Sequence, residues 1–179
     1  MDAFVMVLYN ANLSLTVDAA NRLHEYTNVT VHFDFAEKSV CCKKTALFRR
    51  HQHYMTLASD TNKSILVLED DFDPLPEVKN VWSQIVDFAE HGDFDYLNLG
   101  GVGANQFQKS KELIHRHWMW HAQAVIYSRR NRIRDKVISN FTGHFDWELR
   151  KTDAFMTKPL ILQRNTHHRN LELLNHDYG

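Results

Sequence analysis

Long hydrophobic runs are missing from this 179-residue chain. Its apolar stretches are short, such as Ile65-Leu66-Val67-Leu68, against the ~20 residues that span a bilayer. No basic residue precedes the apolar Ala3-Phe4-Val5-Met6-Val7-Leu8, so the opening segment is expected to be a first strand and not a signal peptide. The only two cysteines, Cys41 and Cys42, are adjacent. Neighbouring cysteines rarely bridge each other, so both are expected to be reduced thiols in a reducing, cytoplasmic setting. The sequons at Asn12, Asn28, Asn62 and Asn140 are then expected to stay idle. Six Gly and three Pro exclude collagen-like and low-complexity classes. A net charge of −1 leaves no basic field, which disfavours nucleic acid as a partner.

What is present suits one globular domain over residues 1–179. Hydrophobic residues make up 44% and aromatics 12%, enough for a core. Strand and helix patterns alternate. Residues 4–8, 29–33, 65–68, 96–99, 122–127 and 160–162 read as strands. Residues 18–26 and 43–59 read as helices, the second with Leu47, His51, Tyr54, Met55 and Ala58 on one face. A third helix opens near Pro74 with Val78, Val81, Trp82, Ile85 and Ala89 inward, and stops at Gly92. A basic helix is expected over 129–139. This alternation predicts an α/β sandwich with a mostly parallel central sheet. Ligands in such sheets bind beyond the carboxyl ends of the strands, which singles out Tyr9, Asn10, Asp34, the 69–71 segment, Gly100, Gly101 and Ser128.

Glu69-Asp70-Asp71-Phe72-Asp73 holds four carboxylates in five residues, directly after the third strand. Two of them ~5 Å apart repel by roughly 3 kcal/mol at an effective dielectric near 20. Such a cluster must be well solvated, matched by cations, or bound to a metal. Hard divalent ions choose carboxylate oxygens and often share them with substrate phosphates. Extended backbone would put Glu69 and Asp71 on one side and Asp70 on the other. The plainer reading makes Asp73 a cap for the helix near Pro74 and the rest a wet loop.

Ser64-Ile65-Leu66-Val67-Leu68-Glu69-Asp70-Asp71 resembles the leucine-glutamate-aspartate-aspartate signature of glycosyltransferase family 25, the lipooligosaccharide and collagen galactosyltransferase family. Further segments match in the family's order: the opening strand to Tyr9-Asn10, Asp95-Tyr96-Leu97-Asn98-Leu99-Gly100, His121-Ala122-Gln123-Ala124-Val125-Ile126-Tyr127-Ser128-Arg129, Phe145-Asp146-Trp147-Glu148-Leu149, and Lys158-Pro159-Leu160. The chain departs from the family where a serine-histidine pair usually precedes the second helix. Here Cys41-Cys42 is followed by Lys43-Lys44-Thr45-Ala46.

The resemblance implies a GT-A-like nucleotide-binding sandwich, a sugar-nucleotide donor (a UDP-sugar first, a GDP-sugar second) and Mn²⁺ or Mg²⁺. It implies transfer, with inversion, to a glycan or protein-linked hydroxyl. Asp71, with help from Glu69 or Asp70, would hold the metal, and Asp70 would face the donor. By analogy with other GT-A enzymes, His176 would complete the metal shell. Tyr9, Asn10, Asp34 and Arg50 would contact the donor, although turn chemistry also favours Asn and Asp at such places, and Arg50 with Lys43, Lys44 and Arg49 also suits a solvated helix face. Gly100-Gly101-Val102-Gly103 lacks the spacing of the common phosphate loops and reads as a loop near the donor sugar. Inversion needs a general base, for which Asp146 and Glu148 are the candidates; Asp146 also fits a helix N-cap.

Twelve histidines include the pairs His51/His53 and His115/His117, but no cysteine pattern supports zinc. Two other functions fit part of the pattern. One is a metal-dependent nucleotidyltransferase, which would usually carry a glycine-rich basic loop where Tyr9-Asn10-Ala11-Asn12-Leu13 stands. The other is an inactive nucleotide-sugar-binding module.

Overall fold

The computed structural model describes residues 1–8, 11–35, 43–100, 113–116, 124–131, 152–158 and 160–164, with the backbone alone for 43–46. The elements run β1 (Asp2–Val7), α1 (Leu13–Thr27), β2 (Thr30–Phe35), α2 (Lys43–Thr61), β3 (Ile65–Glu69), β4 (Phe72–Pro74), α3 (Val78–His91), β5 (Tyr96–Asn98), β6 (Ile114–Arg116), β7 (Ala124–Tyr127), β8 (Ala154–Thr157) and β9 (Ile161–Gln163). Seven strands form one sheet in the order β2-β1-β3-β7-β5-β8-β6, and β4 with β9 forms a small second sheet. Strands β2, β1, β3, β5 and β8 point one way; β7 and β6 oppose them. This is the mixed α/β, mostly one-directional sheet of a GT-A-like fold.

The alternation of strand side chains sorts the core into two layers. Ala3, Val5, Val7, Leu66, Leu68, Leu97 and Ile126 face α1 and α3. Met6, Ile65, Val67, Tyr96, Val125 and Tyr127 face α2. On α2, His51, Tyr54, Met55 and Ala58 are buried and Leu47 is partly buried, the face its spacing predicts. On α3, Val78, Trp82, Ile85 and Ala89 are buried, with Val81 partly so.

Helix ends explain several polar residues. Asn12 caps α1, its side chain accepting from the Leu15 N–H at 3.3 Å. Asn28 and Asn62 take positive φ values of 57° and 52°, the left-handed conformation that Asn tolerates after a helix. Gly92 stops α3 in an extended conformation, so close approach and not left-handed backbone demands glycine there. A Cβ at Gly92 would sit 2.6 Å from the Phe88 carbonyl oxygen.

Three expectations need correction. Helix α3 starts at Val78, later than the Pro74 start, because residues 72–74 are drawn into the second sheet. Asp73 therefore does not cap that helix; it sits in β4 and pairs with Arg22 of α1 at 2.5 Å. Arg129 and Arg130 form a turn and not the start of a helix, held by the Ser128 hydroxyl, which accepts from the Arg130 N–H at 3.1 Å. Residues 132–139 lie outside the described residues.

Candidate functional site

The carboxyl ends of β1, β2, β3 and β5 meet at one edge of the sheet, and the acidic segment stands in the middle of that edge because β3 lies between β1 and β7. β3 ends at Glu69, and Asp70 and Asp71 make the turn into β4. The two aspartates have different surroundings. Asp70 is buried, and its Oδ2 accepts from the Leu8 N–H at 2.8 Å, while its carbonyl accepts from the Thr16 hydroxyl at 2.7 Å. It ties the end of β1 and the first turns of α1 to the end of β3.

Asp71 turns toward the second sheet. Its Oδ2 accepts from Gln163 Nε2 at 2.8 Å, and its carbonyl accepts from the Arg164 N–H at 2.7 Å. Its Oδ1 is buried and has no hydrogen-bond partner among the described residues. Leaving a buried carboxylate oxygen without a donor is costly. A hard cation would satisfy it, and Mg²⁺-type sites use one or two protein carboxylates and complete their shell with water and phosphate oxygens. Asp71 Oδ1 therefore fits the part of one protein ligand to such an ion. Among the described residues, no group of three His, Cys, Asp or Glu side chains is placed to hold a metal by itself.

A second polar group lies at the end of β2. Arg50 Nη1 donates to the Asp34 carbonyl at 2.6 Å and stands 3.3 Å from its Oδ2. The Tyr54 hydroxyl donates to the same Oδ2 at 2.9 Å. Burial, then the hydrogen bond and charge of Asp34, raise the Tyr54 phenol above its ordinary value, so it remains a donor at neutral pH. Asp34 and Arg50, both proposed from the sequence, are thus brought together, and Tyr54, which read only as core, joins them. At β5, the Gly100 N–H donates to Asn98 Oδ1 at 2.9 Å, and the Leu99 carbonyl accepts from Leu160 at 2.8 Å and Ile161 at 3.1 Å. That pairing carries β9 to the site edge.

Tyr9, Asn10, Gly101, Asp146, Trp147, Glu148 and His176 lie outside the described residues, as do His121 and the side chains of Lys43 and Lys44. Gln163 escaped the sequence reading. Its signal is a polar residue ending a short apolar strand, Leu160-Ile161-Leu162-Gln163, and that pattern alone names no partner.

No protein-family profile matches the chain, and no curated protein is detectably similar to it. Solved structures do share its fold. One is a glycosyltransferase involved in the glycosylation of the major capsid of PBCV-1. It aligns with a TM-score of 0.55 over 97% of this chain and 100% of its own, at 11% identity. The likeness establishes a glycosyltransferase-type fold. No helix among the described residues is long and apolar enough to cross a membrane.

Proposed function

We propose that this protein is a metal-dependent glycosyltransferase that moves a sugar from a nucleotide-sugar donor to a hydroxyl acceptor on a glycan or protein, related to family 25. The observation that carries the reading is the Oδ1 of Asp71 at the carboxyl end of β3, buried and without a hydrogen-bond partner among the described residues, in a fold shared with a glycosyltransferase. Asp71 and Glu69 would hold Mn²⁺ or Mg²⁺, with His176 as a third ligand. That ion supplies Lewis-acid stabilisation of charge on the leaving nucleoside diphosphate.

The chain's own residues do the rest. Asp34, fixed by Arg50 and Tyr54, accepts from donor hydroxyls; Tyr9 and Asn10 contact the nucleoside, a uridine or guanosine. Gly100 and Gly101 let backbone approach the donor sugar. Asp146 takes the proton from the acceptor hydroxyl as the new bond forms opposite the leaving group, with Glu148 as the alternative base. Asp70 shapes the edge from behind, since its carboxylate is committed in part to Leu8.

Product analysis with UDP- and GDP-sugars plus Mn²⁺ tests this reading. Transfer or donor hydrolysis is expected, with loss on chelation and in Asp71→Ala. Release of pyrophosphate from a nucleoside triphosphate would instead indicate a nucleotidyltransferase, and thermal stabilisation by sugar nucleotides without turnover a binding module.

A further inference from the structure

Strand β9 runs antiparallel to β4 with Gln163 opposite Phe72, which brings Gln163 beside the acidic turn. The segment is anchored on both sides. Leu162 stands opposite Asp73 within the sheet, and Arg164 donates through Nη2 to the carbonyls of Phe72 at 3.2 Å and Leu15 at 3.1 Å. From this anchored position the Gln163 amide donates to one oxygen of Asp71, and the other is buried without a hydrogen-bond partner among the described residues.

We propose that Gln163 is a positioning residue that fixes the Asp71 carboxylate so that Oδ1 is presented to a divalent cation. The inference rests on the metal reading of Asp71 given above. A short aspartate has two rotatable side-chain bonds. Holding Oδ2 on an amide carried by a neighbouring strand removes that freedom before the ion arrives. Partners that orient ligating carboxylates in this way commonly contribute about 10–100-fold in metal affinity. The amide is neutral, so it constrains the carboxylate without cancelling the charge that attracts the ion; a lysine at the same place would compete with it.

The test is Mn²⁺ titration of the full chain, following loss of the free-ion electron paramagnetic resonance signal, alongside melting temperatures without metal. Gln163→Met keeps the side-chain length and removes the donor. It is expected to weaken Mn²⁺ binding about 10–100-fold in protein that its metal-free melting curve shows to be folded, with a modestly lower melting temperature from the lost part-buried hydrogen bond. Gln163→Asn retains the amide on a shorter arm. It is expected to fall between the two, and it decides the matter if the methionine variant does not fold. Wild-type Mn²⁺ affinity in the folded variants, with binding abolished in Asp71→Ala, would overturn the role of Gln163 and leave the metal reading intact. Equal Mn²⁺ binding by wild type and Asp71→Ala, or none by either, would overturn both.

Discussion

Asp70 and Asp71 are adjacent, yet Asp70 ties β1 and α1 to the end of β3, while Asp71 bonds Gln163 through Oδ2 and leaves Oδ1 without a hydrogen-bond partner among the described residues. The charge-assisted bond from Leu8 N–H to Asp70 is of a kind stronger than neutral ones. Asp70→Ala leaves that buried N–H without its acceptor and is expected to destabilise the protein by about 1–3 kcal/mol; Asp70→Asn, which retains an oxygen acceptor, should lose less. Urea denaturation of both variants checks the order. Gly92 has a different constraint, because any Cβ there meets the Phe88 carbonyl oxygen. Gly92→Ala is expected to cost about 1–3 kcal/mol through overpacking, measurable in the same way.

His51 makes the third residue-scale prediction. It is buried on α2, with Nδ1 2.8 Å from the Tyr127 hydroxyl, and burial lowers its pKa from 6.5 to about 3. The folded state therefore keeps the ring neutral while the unfolded chain binds a proton below pH 6.5. Its contribution is complete above that value and declines as pH falls toward 3, by up to about 1.4 kcal/mol per pH unit. In His51→Gln the slope of stability against pH between 6.5 and 3 should be smaller by up to one proton. An unchanged slope in denaturation series at stepped pH would contradict this assignment.

At the scale of elements, legibility followed periodicity. Helix α3 displays its inner stripe over about three turns, and Val78, Trp82, Ile85 and Ala89 are buried where the spacing puts them. Ile85→Ala, at a fully buried position, is expected to cost about 2–5 kcal/mol, read as a lowered denaturation midpoint. The continuous apolar run Ile65–Leu68 likewise marks a strand buried on both faces. By contrast, β4 and β6 have three residues each and β8 has four. Strands that short complete too few alternations to show a period; β5 and β9 are equally short and were legible only through the apolar runs Tyr96-Leu97 and Leu160-Ile161-Leu162. The same limit hid Asp73 in β4 behind its plausibility as a cap, and Tyr54 behind its place on an apolar helix stripe. The acidic turn was legible because the rule for strand ends in α/β sheets points to it; its clamp, Gln163, comes from a strand more than ninety residues later.

For the whole molecule, sheet order converts separated sequence segments into one edge. Placing β1, β3 and β5 in one direction with β7 interleaved gathers Leu8, Asp34, Glu69–Asp71 and Gly100 along the carboxyl side, and the second sheet brings Gln163 and Arg164 to the same place. The opposite ends of the strands carry structural work, such as Asp95 Oδ2 accepting from the Asp153 N–H at 2.9 Å and the Arg116–Asp153 ion pair. If the proposed nucleotide-sugar donor binds here, the near-neutral charge of the chain means that local cations and not a broad basic field meet it.

The most direct measurement is turnover of a panel of UDP- and GDP-sugars by wild type and Asp71→Ala, with Mn²⁺ and with chelator. The account predicts nucleoside diphosphate release by wild type in Mn²⁺ alone, and a fall of at least about 100-fold, equivalent to roughly 2.7 kcal/mol of transition-state stabilisation, in the variant and after chelation. Wild-type rates in the folded variant and in chelator would contradict it.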